Sequence, residues 1–192
     1  MPRPDPSRPD PADPELPDQG EVAAEGLDAL FTAAYAELHR LAATIRRDDP
    51  AATLTPTALV NEAWLKLRAS SNLAPASRLH FKRIAGRAMR QVLVEAARRR
   101  NATKRGSGLA PVTFEDLAGH GLSTPDEVLA LDEALEELGR VSPRQVAMIE
   151  CRFFAGLDVA ETAAMLEISE ATVLRDWRAA RAWLTHALSH PD

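Results

Sequence analysis

Apolar positions recur at three- and four-residue steps from Leu27 onward. Leu27, Leu30, Phe31, Ala34, Leu38, Leu41 and Ile45 make the first such series, and "DDP" at 48–50 closes it. That period is the mark of an amphipathic helix. Thr55 followed by Pro56 predicts the start of a second helix, with the hydroxyl as N-cap and the ring in the first turn. This helix, to about Leu67, sets Leu59, Ala63 and Leu67 on one stripe and Val60, Trp64 and Leu67 on the next. The apolar surface is wider than one core-facing stripe. Deep burial or a partner would each account for it. Ser77 predicts the start of a third helix, to about Arg100, whose buried side is Leu79, Phe81, Ile84, Ala88, Val92 or Leu93, and Ala96.

Periodicity is lost over 106–123, which opens with "GSG". It returns after "TPDE" at 124–127, where Thr124 caps, Pro125 enters the first turn and Glu127 reaches back. Val128, Leu131, Leu135 and Leu138 follow. "SPRQ" at 142–145 repeats the signature, and Gly156 stands where a left-handed C-cap ends that helix. Asp158 and Glu161 form a third capping box, ahead of a helix of about eight residues. After the turn "EIS" at 167–169, Ser169 caps the last helix. A short helix, a three-residue turn and a longer basic helix have the spacing of a helix-turn-helix. On the last helix Val173, Trp177, Ala180 and Leu184 share one face, so Trp177 belongs to the core. Arg175 and Arg178 point away from it. They suit either a solvated face or a DNA contact.

Residues 1–26 are rich in Pro and Asp and read as a disordered tail, because they have too little to bury to offset ordering. Alanine, leucine, arginine and glutamate dominate elsewhere, and glycine and β-branched residues are sparse, so the fold class expected is all-α. The formal net charge is −5, but its distribution carries more information. Residues 27–110 hold fifteen bases and six acids, while residues 111–138 hold eight acids and no base. Within 78–105 there are ten bases and one acid, Glu95. That block suits the backbone of a nucleic acid, or a solvated basic face. The organisation expected is two small helical domains, 27–105 and 124–192, joined by an acidic linker at 106–123.

The single cysteine, Cys151, lies in an apolar run and is expected to be a buried, inert thiol. The five histidines have no metal-ligand spacing, and no nucleophile motif or Gly-rich phosphate loop is present, so neither an enzyme nor a cofactor or metal is expected. No apolar run approaches the ~18 residues that cross a bilayer, and no signal-peptide core is present, so the location expected is cytoplasmic, away from any membrane.

Two stretches together carry a family resemblance. "TPTALVNEAWLKL" with "HFKRIAGRAMRQVLVEAARRRNATKRG", and "RFFAGL", "VAETA" and "ATVLRDWRAARAWL" further on, resemble bacterial RNA polymerase sigma factors of the extracytoplasmic-function (ECF) group. The likeness runs from about Leu27 to Leu188. It implies a transcription initiation factor that binds core RNA polymerase and promoter DNA, with an anti-sigma factor as a further candidate partner. By this resemblance Leu59, Asn61, Glu62, Trp64 and Leu65 meet the clamp of the largest polymerase subunit. Arg83, Arg87, Arg90, Arg98, Arg99, Arg100, Asn101, Lys104 and Arg105 line the −10 element as a single strand. Ser169, Glu170, Thr172, Arg175 and Arg178 face the −35 element in the major groove, and the second domain also meets the flap of the other large subunit. The chain departs from the family pattern at Leu174, where a basic residue is frequent, and at Glu167, where Gly is usual. The competing reading is a helix-turn-helix regulator that acts without forming a holoenzyme, and it would need a ligand pocket or dimer helix within 27–105.

Overall fold

The computed structural model describes residues 19–45, 54–70, 75, 77–103 and 114–190. The described residues form helices without a strand, as composition predicts. The elements are α1 (Gln19–Ile45), α2 (Pro56–Ala69), α3 (Arg78–Thr103), α4 (Phe114–His120), α5 (Pro125–Val141), α6 (Pro143–Ile149), α7 (Val159–Leu166) and α8 (Glu170–Ser189). A π-helical turn, Glu150–Phe154, continues α6 without a break.

Most of the expected helix starts are made by the expected side chains. The Ala58 amide donates to Thr55 Oγ1 at 3.2 Å, and the His80 amide to Ser77 Oγ at 3.1 Å. Thr124 and Glu127 exchange both bonds of a capping box, as do Asp158 and Glu161. Each such cap is worth about 1 kcal/mol. Ser142 departs from expectation: its side chain caps nothing. It is at once the last residue of the α5 turn and the first of α6, and its backbone serves both. Its N–H donates to Leu138 O at 2.7 Å and its carbonyl accepts from Gln145 N at 3.0 Å. Gly156 is left-handed, with φ of 64°, as its place after the helix predicts.

Two boundaries differ from the sequence reading. Helix α1 begins at Gln19, inside the stretch assigned to the tail. Glu21, Ala23, Ala24 and Glu25 are good helix formers, and extending a helix that already exists is far cheaper than nucleating one. Helix α4 lies inside the stretch assigned to the linker. Its two apolar anchors, Phe114 and Leu117, and Leu122 beyond it are fully buried. Seven residues are too few to show a period, and the helix is held by tertiary contact. Phe114 meets Phe153 and Trp177 with ring centroids 5.6 and 6.0 Å apart. The Leu122 amide donates to Ile45 O at 2.6 Å, which ties the segment to the end of α1. The "GSG" break and residues 1–18 lie outside the described residues.

The two helical groups expected as separate domains pack against each other. Helix α3 lies along α5 and the π turn, and the buried residues of α1–α3 and α5–α8 form one continuous core. The stripe of α3 that faces this seam is Gly86, Arg90, Val94, Ala97 and Asn101. At Gly86 the approach is backbone to backbone: a Cβ there would sit 2.7 Å from the Phe154 carbonyl and 2.8 Å from Ala155 N. A glycine in a helix interior costs about 1 kcal/mol against alanine. The close approach to Phe154 is what the missing side chain permits.

Candidate nucleic-acid and polymerase interface

Helix α8 is divided lengthwise. Val173, Ala180 and Leu184 are wholly buried, and Trp177 is half-buried between the Phe114 ring and the Arg152 guanidinium, 4.7 Å from its ring centroid. Trp177 is therefore packing, as its place on the wheel predicts. The opposite side exposes Ala171, Arg175, Arg178 and Ala182, with Leu174 between them at 42 % exposure. Ser169 caps the helix through a 3.2 Å bond from Thr172 N, and the two hydroxyls lie 2.9 Å apart. Glu170 is exposed beside them. The five residues named from the sequence for −35 DNA thus fall on one end and one side of α8. Beneath them Asp176, 6 % exposed, accepts from Arg144 of α6 at 2.6–2.8 Å, which fixes the angle between the two helices.

The turn before α8 has a strained residue. Glu167 is left-handed, with φ of 55°, where a side chain costs roughly 1 kcal/mol and glycine costs nothing. Its N–H still closes onto Ala164 O at 3.4 Å, and that of Ile168 onto Ala163 O at 3.0 Å. The turn keeps its form without the usual glycine.

Helix α3 presents its bases differently. Arg87 and Arg99 are exposed, and Arg83 and Arg100 are half-buried. Arg90 is nearly enclosed. Its Nε and Nη2 donate to Asp132 Oδ1 at 3.1 and 2.8 Å, and Nη1 donates to Glu150 Oε1 at 3.3 Å. Arg98 reaches Asp132 Oδ2 at 3.4 Å, and Asn101 donates to Asp126 Oδ1 at 2.7 Å. Lys82, buried, lies 3.3 Å from Glu37 of α1 and 3.6 Å from Glu161 of α7. Lys104 and Arg105 lie outside the described residues. The acids that engage α3 were not singled out by sequence. For Asp132 the signal was present: it falls within the apolar stripe of α5, next to Leu131 and Leu135. A carboxylate at such a position is buried only if paired.

On α2 the expected polymerase face is partly core. Leu59 is wholly buried, so it belongs to the packing of α2 on its neighbours and is not a surface contact. The stripe it shares with Ala63 and Leu67 is the core-facing one. Trp64 is half-buried and stacks on Phe31 of α1, centroids 4.3 Å apart and planes at 10°. Asn61 and Glu62 are exposed, and Leu65 is 64 % exposed, which is rare for a large apolar side chain here.

The sequence pattern of the ECF sigma factor family matches residues 16–190. The chain belongs to the ECF sigma factor family. No curated protein and no solved structure matches it. As an ECF sigma factor the protein is a transcription initiation factor that works with core RNA polymerase and binds promoter DNA. The sigma factor has no helix, among its described residues, long and apolar enough to cross a membrane. Its one thiol, Cys151, is buried in a small cluster with Ala155 and Leu157, against which Leu79, Met165 and Leu166 pack. Burial pushes this thiol from 9.0 up to about 11, against the lowering effect of Arg83 and with a smaller raising effect from Glu150. It is protonated at neutral pH and a poor nucleophile, in keeping with the inert role expected of it.

Proposed function

We propose that this sigma factor directs polymerase to promoters by two recognitions. Helices α7 and α8, with the turn between them, act as a helix-turn-helix that places the α8 N-terminus in the major groove of the −35 element. Helix α3 holds the −10 element as a melted strand. The exposed part of α2, Asn61, Glu62, Leu65 and the open edge of Trp64, docks on the clamp of the largest polymerase subunit. The C-terminal helices meet the flap of the other large subunit. On this reading residues 27–105 and 124–192 act as two units that carry separate promoter elements.

The observation that supports this reading best is the division of α8. One side packs into the core through Val173, Ala180 and Leu184. The other sets arginines among alanines, with Leu174 the one large apolar side chain between them. An arginine there can take a guanine edge by a bidentate pair, worth ~1–3 kcal/mol of discrimination. The arginines of α3 continue past the end of its apolar pattern, which suits charge neutralisation along a backbone.

The test uses holoenzyme assembled with each variant on duplex and pre-melted promoters. Arg175→Ala is expected to relax preference at one −35 position and leave the salt slope of the pre-melted template unchanged. Replacing Arg98, Arg99 and Arg100 together is expected to flatten the salt slope and slow promoter opening, with −35 preference intact. A wild-type salt slope on both templates for the triple variant would remove the −10 assignment.

A further inference from the structure

Among the described residues three large apolar side chains stand exposed: Leu65, Val141 and Leu174. Leu65 belongs to the α2 face given above to polymerase, and Val141 closes α5 at its junction with α6. Leu174 is the one that lies on the side of α8 given to promoter DNA. It is 42 % exposed and lies outside the core. With 3.6 residues to a turn, Ala171, Leu174, Arg175, Arg178 and Ala182 make one stripe, and all five are exposed. Leu174 stands at the start of the second turn, three residues after Ala171 and four before Arg178.

Neither helix formation nor packing calls for a leucine there. Arginine, lysine, glutamine and glutamate have nearly the helix propensity of leucine, and each would keep this face polar. The packing of α8 on its neighbours is supplied by Val173, Ala180, Leu184 and Leu188. Two exposed cations, Arg175 and Arg178, against one exposed acid, Glu170, suit this end of α8 to a polyanion. In a duplex major groove the base edges present donors and acceptors, and the C5-methyl of thymine is the one apolar group among them. An apolar side chain set between groove-facing arginines therefore has a single apolar counterpart.

We propose that Leu174 is a specificity-determining residue of the sigma factor, which reads the C5-methyl of one thymine in the −35 duplex while Arg175 or Arg178 takes a guanine edge on a neighbouring pair. The proposal rests on the reading of α8 as the −35 helix and goes beyond it by assigning a base. A shorter side chain at this place would leave the methyl in water. A charged one would lose its own hydration against the methyl and gain no partner. The element that the protein selects thus carries a thymine beside a guanine-bearing pair.

The experiment uses holoenzyme and duplex promoters randomised across the −35 region, from which the tightest binders are selected and sequenced. In the selected sequence each thymine, on either strand, is then replaced singly by deoxyuracil. That change removes the methyl and keeps the base pair. Affinity is measured with the wild type and with Leu174→Ala. One deoxyuracil is expected to weaken wild-type binding about fourfold, which is the ~0.8 kcal/mol of one apolar carbon withdrawn from water. The same deoxyuracil should change binding by Leu174→Ala less than about 1.5-fold, because the contact is already lost. Selection repeated with Leu174→Gln should lose the thymine at that pair and keep the guanine, since a glutamine amide suits an adenine edge.

A wild-type holoenzyme indifferent to every deoxyuracil overturns the proposal. So does a fourfold loss that Leu174→Ala retains, which assigns the methyl to another side chain. A Leu174→Ala variant that loses affinity for core polymerase and keeps the wild-type base preference makes Leu174 a protein contact. In each of these cases the −35 reading of α8 stands as long as Arg175→Ala still relaxes one position. If the selection enriches no base at any position, the −35 reading falls and this proposal falls with it.

Discussion

Helices α3 and α8 carry much the same chemistry on paper. Each is long, each is rich in arginine and alanine, and each has one apolar side. They differ in what stands opposite the arginines. On α8, Arg175 and Arg178 face solvent, and among the described residues the carboxylate in contact with Arg175 is that of its chain neighbour Asp176, at 3.5 Å. On α3, Arg90 is enclosed by Asp132 and Glu150, from elements 42 and 60 residues away. A count of positive charge cannot separate a surface ready for a polyanion from one already satisfied. Substitutions in the two helices should therefore divide between binding and stability in opposite ways.

The largest effect is expected at Arg90. Arg90→Met leaves Asp132 and Glu150 in the seam without a cation. Removing one partner of a buried ion pair costs ~3–5 kcal/mol, although water entering an opened seam sets an upper limit near the cost of opening it. Urea unfolding should show a loss of ~3 kcal/mol, and converting Asp132 to Asn and Glu150 to Gln in the same chain should return most of it. A loss below ~1 kcal/mol, the range of exposed pairs, would mean that α3 is as open to solvent as α8.

Trp64→Ala comes next. Its stack on Phe31 makes it a structural side chain as well as a candidate contact, so a stability loss of ~2–3 kcal/mol is expected on denaturation. Leu65→Ser separates the two roles. It should leave stability within ~0.5 kcal/mol, as exposed positions do, and weaken core polymerase binding by ~1–2 kcal/mol. If Leu65→Ser leaves polymerase affinity at the wild-type value, the exposed face of α2 is not the docking surface.

Arg175→Ala should cost ~1–3 kcal/mol in duplex promoter binding and almost nothing in unfolding free energy. An equal loss in both would place Arg175 with Arg90, as a structural cation, and dissolve the contrast between the helices. The smallest effect is expected at the turn that aims α8. Glu167→Gly relieves a left-handed side chain but frees the unfolded backbone, and a net gain of ~0.5 kcal/mol should appear in thermal melts. A destabilised Glu167→Gly variant would show that the Glu167 side chain supports the turn.

What the sequence determined by itself is the local order of the chain. The capping pairs at Thr55, Ser77, Thr124, Asp158 and Ser169 join residues three apart, and their hydrogen bonds form wherever that helix starts. The helical period, the buried side of α8, the left-handed Gly156 and the family resemblance follow from neighbours and spacing alone. Ser142 failed as a cap because two helices meet there, which its own tetrapeptide does not record. Tertiary structure decided the rest. It put Leu59 into the core and half of Trp64 with it. It docked α4 through Phe114 and Leu117 in a segment with no visible period. It chose which of the arginines of α3 would meet Asp132 and Glu150. Pairing between distant residues depends on how helices pack, and packing is a property of the whole core. A sequence shows that a buried acid needs a partner, and only the folded chain shows which cation it takes.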